Sequence, residues 1–227
     1  MSRGQLPALA ALEIADDPAL WTRLGFALDA GGSLVVGAVK LRLAGDAAGQ
    51  GLISWTLRST ATLPSEIDGI RTHAAAPGPD VPIEGESARP GVTHPNGVTG
   101  LDHVVVTTPD LYRTLGAFRA AGMAVRRERD AGTPERPMRQ AFLWAGDVLV
   151  EVAGPPQAAC DGPARLWGVV FVTTSFGSLA DHAGDLIGSV RPAVQPGRQI
   201  ATLRRAAGSS VPIAFMTPHQ RAQEPVS

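Results

Sequence analysis

The 227-residue chain contains a single cysteine, Cys160, which excludes an internal disulfide framework and any multi-cysteine zinc site, and fits a reducing compartment. Lysine is equally scarce: Lys40 is the only one among 20 basic residues, a bias that reads as coding preference. No excess of either charge sign is present. The net charge of −1 and the even spread of Arg supply no basic field for nucleic acid or a membrane surface. No window holds the roughly 20 consecutive apolar residues of a membrane span. The segment Met1 to Pro18 is too broken by Pro7 and Glu13 to act as a secretory h-region. These absences predict a cytoplasmic protein whose partner is a small molecule or another chain. An apolar content of 44% is enough for a packed core.

What is present is a repeat. Leu101 to Pro155 opens with the apolar run His103-Val104-Val105-Val106, and a Thr-Thr-Pro-Asp turn then offers Thr108 or Asp110 as helix N-cap. Leu111, Leu115, Phe118 and Ala121 recur at helical spacing, and Gly122 is a natural C-cap. Three strand-like pieces follow at Ala124 to Glu128, Arg139 to Trp144 and Val148 to Ala153, the last two joined by the Gly146-Asp147 turn. The unit reads β-α-β-β-β. Leu166 to Pro218 repeats it: Val169 to Thr174 echoes Val104 to Thr108, a helix runs from about Phe176 to Leu186 and ends at Gly188, Arg198-Gln199 echoes Arg139-Gln140, and Ser210 to Met216 closes the unit. A shorter version spans Leu9 to Arg58, with strands at Ala11 to Ala15, Leu34 to Gly37, Lys40 to Leu43 and Leu52 to Leu57 and a helix from Pro18 to Phe26. The expected organisation is a shortened N-terminal module at 1–76, a Pro/Gly-rich linker at 77–97, and paired modules at 98–158 and 163–219. The fold class is α+β. Units of this kind expose one sheet face when alone, so modules two and three should pair around a cup.

Leu101-Asp102-His103-Val104-Val105-Val106, closed some 50 residues later by Leu149-Val150-Glu151-Val152, resembles a module of the vicinal oxygen chelate superfamily, which includes glyoxalases, bleomycin-resistance proteins and extradiol dioxygenases. The resemblance implies a half-open barrel of paired modules. It also implies that His103 and Glu151 stand where metal-dependent members place ligands on the first and last strands. A divalent ion held there would act as a Lewis acid on a substrate with adjacent oxygens. The ligand set is incomplete within one chain, however. Opposite His103 the third module offers Gly168 or Val169, and opposite Glu151 it offers Ala214, while the first module offers Leu12 or Glu13 and no acidic residue between Leu52 and Leu57.

His103 and Glu151 are therefore the candidate catalytic and metal-ligating residues. Gln140, Trp144, Trp167 and Arg198 are candidate ligand contacts. Of Arg139-Gln140, strand alternation turns Gln140 inward with Phe142 and Trp144. For the two tryptophans, core packing is the competing reading. His73, His94, His182 and His219 are expected on the surface, Cys160 beside Asp161 is no nucleophile, and Asn96-Gly97 marks a turn. Three functional readings stay open: a metal-dependent lyase, isomerase or dioxygenase; a metal-free protein that binds or sequesters its ligand; and a homodimer through the first module. In the first reading, second modules of two chains paired across a two-fold axis could pool two His103 and two Glu151.

Overall fold

The computed structural model describes residues 6–75 and 93–219; most of the expected linker, 77–92, lies outside the described residues. The C-terminal part forms an eight-stranded sheet. Its second-module strands are β7 (Val98–Thr107), β8 (Val125–Thr133), β9 (Arg136–Ala145) and β10 (Val148–Gly154), with α2 (Leu111–Ala120) between β7 and β8. The third module supplies β11 (Arg165–Thr173), α3 (Phe176–Ala183), β12 (Arg191–Pro192), β13 (Gln199–Thr202) and β14 (Ile213–Met216). The strand order is β12-β13-β14-β11-β7-β10-β9-β8, so each module runs outward from its first strand and the two first strands pair antiparallel at the centre. In both modules the last strand lies parallel to the first.

The two modules start their helices by the same local device. The Thr108 hydroxyl accepts from the Asp110 amide, and the Asp110 carboxylate caps the Arg113 amide. Thr173 and Ser175 repeat this with the Ser175 and Ser178 amides. Each pair satisfies amides that the first helical turn leaves unbonded. The match resolves the alignment between the modules: Thr108 corresponds to Thr173, and His103 therefore to Gly168. The third-module α-helix stops at Gly184, whose φ is 50°, and a 3-10 turn over Gly184–Leu186 carries the helical run to the expected end just before Gly188.

The N-terminal part departs from a single shortened module. Its strands are β1 (Ala8–Ile14), β2 (Ser33–Val36), β3 (Val39–Leu43), β4 (Leu52–Arg58), β5 (Glu66–Ile67) and β6 (Ile70–Ala74), with α1 (Pro18–Arg23) after β1. The order is β2-β3-β1-β4-β6-β5. Here β4 pairs antiparallel with β1, as β11 does with β7, and runs parallel to β6. It opens a second half-unit, β4-β5-β6, instead of closing the first. The six-stranded sheet is thus two three-stranded halves, each missing a strand, and the second also lacks a helix. Sequence alternation alone could not show this, because a closing strand and an opening strand have the same pattern.

One continuous core joins the sheets. It takes in Leu12, Ile14, Leu41 and Trp55 from the first sheet and Val104, Val106, Val150, Val152, Phe171 and Phe215 from the second. Trp21 and Phe26 pack on Phe171 with ring centroids 5.9 and 5.3 Å apart, and Trp55 packs on Phe118 at 5.8 Å. Polar clasps close the seam. Asp16, buried, accepts from Trp21 Nε1, Ser209 Oγ, Ser210 N and Ser210 Oγ. Arg113 grips both oxygens of Asp68.

Two residues assigned to the surface and to a turn belong to this seam. His94 is buried; its Nδ1 accepts from the Ala27 amide, so Nε2 carries the proton and donates to the Val35 carbonyl. Burial holds its pKa below the ordinary 6.5, against a smaller opposing effect of the Val35 carbonyl. Asn96 is buried too, donating to the Leu24 carbonyl and accepting from the Val98 amide. Both positions look polar and loop-like in sequence; only the return of the chain across α1 buries them. No helix among the described residues is long and apolar enough to cross a membrane.

Candidate functional site

The eight-stranded sheet has one face on the core and one turned away from it. Strand registers line up the residues of this far face: Trp144, Leu149, His103, Val170 and Ala214 in one row, and Arg127, Phe142, Glu151, Val105 and Gly168 in the next. Both predicted ligands, His103 and Glu151, are therefore on the same face, one row and one strand apart. Their facing atoms, His103 Nε2 and Glu151 Oε2, are 3.8 Å apart.

A β-bulge adds the residue that alternation hides. His103 lies opposite Val170 while Leu101 lies opposite Phe171, so Asp102 is an extra residue on β7. It brings two consecutive side chains together: Asp102 Oδ2 is 2.7 Å from His103 Nδ1. The other oxygen, Oδ1, accepts from Arg198 Nη2 at 2.5 Å. Arg198 also donates from Nε to the Thr217 carbonyl and from Nη1 to His219 Nε2, and its side chain is only 1% exposed. Burial pushes the Asp102 carboxyl up, and the hydrogen bonds and charges of His103 and Arg198 outweigh it, leaving the pKa below its ordinary value.

The protonation pattern of the imidazole follows. An ionised carboxylate only accepts, so His103 Nδ1 must carry the proton that bonds Asp102. In the neutral ring Nε2 then has its lone pair free and aimed toward Glu151. The same logic orients Gln140. Arg129 has only donors and its Nε lies 2.6 Å from Gln140 Oε1, so the Gln140 amide nitrogen is the atom that donates to Glu151 Oε1, also at 2.6 Å. A chain of polar groups thus crosses four strands and reaches the start of β13: Arg129, Gln140, Glu151, then His103, Asp102 and Arg198. Glu151 Oε2 and His103 Nε2 face each other at its one break.

The third-module half of the same face has an apolar centre, with Thr202 and Arg191 toward its outer edge. Val170, Ala214 and Met216 form a separate cluster, with Ala193 and Ile200 packed on it. Gly168 takes the place of His103, and Ala214 that of Glu151. The glycine is dictated by packing: a Cβ there would meet the Pro212 carbonyl oxygen at 2.8 Å.

These residues do not fit a catalytic divalent ion within one chain. His103 and Glu151 offer one free ligand atom each, Asp102 is occupied on both oxygens, and no group of three or more His, Cys, Asp or Glu that could hold a metal occurs among the described residues. An open catalytic site needs about three protein ligands. Within the chain both edges of β7 are taken, by β10 on one side and β11 on the other.

Of the remaining candidates, Gln140 faces inward as expected, with Arg139 turned out to bond Asp130 and Tyr112. The second dipeptide is reversed: Arg198 is the inward residue and Gln199 is exposed, so the two Arg-Gln pairs match in letters but not in register. Trp144 is half-buried beside Leu149. Trp167 is not a core residue; it is the extra residue of a second bulge on β11 and is 51% exposed. Asp102, Arg127 and Arg129 were missed. The Asp-His dipeptide was the only available signal for the first.

No family model matches the sequence, and no curated protein matches it. Solved structures do. A triple mutant of 4-hydroxymandelate synthase from Streptomyces coelicolor aligns over 95% of this chain and 94% of its own, with a TM-score of 0.58 and 15% identity. Methylmalonyl-CoA epimerase from Mycobacterium tuberculosis aligns over 55% of this chain and 91% of its own, with a TM-score of 0.42 and 15% identity. The alignment with 4-hydroxymandelate synthase shows a shared α+β fold over nearly the whole chain.

Proposed function

We propose that the far face of the eight-stranded sheet is the cup in which this protein binds a small organic molecule, and that His103 and Glu151 exchange protons with that molecule without a divalent ion. The observation that carries this reading is the break in the polar chain, where His103 Nε2 and Glu151 Oε2 face each other at 3.8 Å with all their neighbours already satisfied. Asp102 holds the imidazole in one tautomer and stabilises the imidazolium once Nε2 takes a proton. Gln140 holds Glu151 in one orientation, and hydrogen bonding to one oxygen leaves the other available. Two groups so arranged can remove a proton from a carbon or oxygen acid and return one to it. The apolar half beside them suits the hydrocarbon part of the ligand.

The test is solvent exchange. Small carbon acids incubated with the metal-stripped protein in D2O should take up deuterium, and His103→Gln and Glu151→Gln should each lower that uptake by about 100-fold or more, the usual contribution of a positioned acid or base. Exchange that needs added zinc, manganese or ferrous iron would overturn the metal-free reading. Saturable binding with no exchange under any condition would make the site a sequestering one, a reading favoured by the apolar cluster of Val170, Ala214 and Met216.

A further inference from the structure

We infer that the ligand of this face is an organic anion, and that Arg127 and Arg129 on the edge strand β8 are the residues that receive its carboxylate or phosphate oxygens. The inference rests on the binding face proposed above and names the chemistry of what occupies it.

The two faces of β8 differ in charge balance. On one, Glu128 and Asp130 are met by Arg139, whose Nη1 and Nη2 lie 3.9 and 2.7 Å from their carboxylates. On the other, Arg127 is in register with Phe142 and Arg129 with Gln140, both far-face residues. The guanidinium carbons stand 4.8 and 5.3 Å from the Phe142 ring centroid. Neither guanidinium has an ion-pair partner among the described residues. Arg129 uses Nε on Gln140, and the bonds described leave its two Nη groups to spare. Arg127 has its whole fork available.

The carboxylates that the eight strands place on this face are Asp102 and Glu151. Asp102 is neutralised by Arg198, and Glu151 already accepts from Gln140 and faces His103. The face therefore carries an unmatched positive charge at its β8 end. Charged residues on an edge strand also guard against strand-to-strand aggregation. That role needs no aromatic partner, whereas both of these guanidiniums lie within cation–π distance of one ring. A planar fork held in place loses less freedom on meeting a carboxylate or phosphate, and its bonds to such groups are charge-assisted. Phe142 lies between these arginines and Glu151, in the row that leads to Val105 and Gly168. An anion on the arginines would thus place its adjoining carbon skeleton along that row, beside the His103–Glu151 break and toward the apolar half.

The probes are phenylacetate, phenylphosphate and the neutral phenylacetamide, titrated at constant ionic strength while the Arg Nε–H and His103 ring signals are followed by NMR. Saturable shifts of Arg127 and Arg129 with phenylacetate or phenylphosphate are expected, with phenylacetamide at least about tenfold weaker. Which of the two anions binds tighter identifies the oxyanion. Arg127→Gln combined with Arg129→Gln should bring acid and amide within about twofold of each other, since only the charge-assisted bonds are lost. Equal affinity for acid and amide in the wild type overturns the inference, as do unchanged acid binding in the double variant and the absence of any saturable shift. A His103 response to phenylacetamide with silent arginines would remove the anion receptor and leave the binding face standing. Silence of both sets of signals with all three probes would count against both.

Discussion

The two halves of the eight-stranded sheet share one topology and one helix-capping device, yet their far faces are opposites. The second-module half carries most of a part-buried polar chain, to which the third module adds Arg198 at the rim; the strands of the third-module half carry the cluster of Val170, Ala214, Met216 and Ile200. Equivalent strand positions are thus not equivalent in chemistry. His103 is matched by Gly168, which the Pro212 carbonyl oxygen keeps small, and Glu151 by Ala214. The difference lies in the side chains that one shared strand order carries, not in the order itself.

The comparison breaks most visibly at Asp102. Replacing it with Ala leaves Arg198 buried without its charge partner, and stability by denaturant unfolding should fall by about 3–5 kcal/mol. Pairing that change with Arg198→Met should restore more than half of the loss. A loss as small as that of an exposed ion pair would mean the polar half is no more specified than the apolar one. On the other half, Gly168→Ala should cost about 1–3 kcal/mol, because the added Cβ collides with backbone and not with a movable side chain. A neutral result would show that the His103 equivalent was lost without a packing reason.

Acid should separate two regions of the molecule. His94 has a folded-state pKa below 6.5, so between those values the unfolded chain binds more protons, and the stability from the neutral ring is complete above 6.5 and lost as pH falls beneath it. Asp102 has a folded-state pKa below 3.8, so its contribution is complete above 3.8 and lost as pH falls through the folded value. Thermal melts from pH 8 to pH 3 should therefore fall in two stages, each limited to about 1.4 kcal/mol per pH unit for one group. His94→Gln should flatten the upper stage and Asp102→Asn the lower; persistence of both stages in either variant would assign them to other groups. Smallest of all, Gln140→Ala should cost about 0.5–1.5 kcal/mol, since it frees Arg129 Nε and Glu151 Oε1 at a partly solvated position. The unfolding midpoint in urea is enough to read it.

Much of this was legible beforehand. The β-α-β-β-β order of the second and third modules follows from hydrophobic period, Asp110 was one of the two N-caps offered, and the closeness of His103 to Glu151 is what the family resemblance implies. Gln140 followed from alternation with Phe142 and Trp144. Asp102 could not, because alternation assigns consecutive residues to opposite faces and only a bulge reverses it. The partner of Arg198 lies 96 residues away in sequence, and no local pattern reports so distant a meeting. Trp167 is likewise the extra residue of a bulge, and its exposure rules out the competing core reading.

The sequence by itself therefore determined the strand and helix periods, and the half-empty ligand set, since Gly168 and Ala214 have no donor side chain whatever their surroundings. The tertiary structure decided which face each group shares. It made β4 the opening strand of a second N-terminal half-unit, buried His94 and Asn96 at the seam, and joined Arg129 to Arg198 through four other residues. The physical reason is common to all of these. A strand pattern with period 2 fixes sides only within one unbroken strand, while pairing register, bulges and the packing of one sheet on another are settled by contacts between segments far apart in the chain.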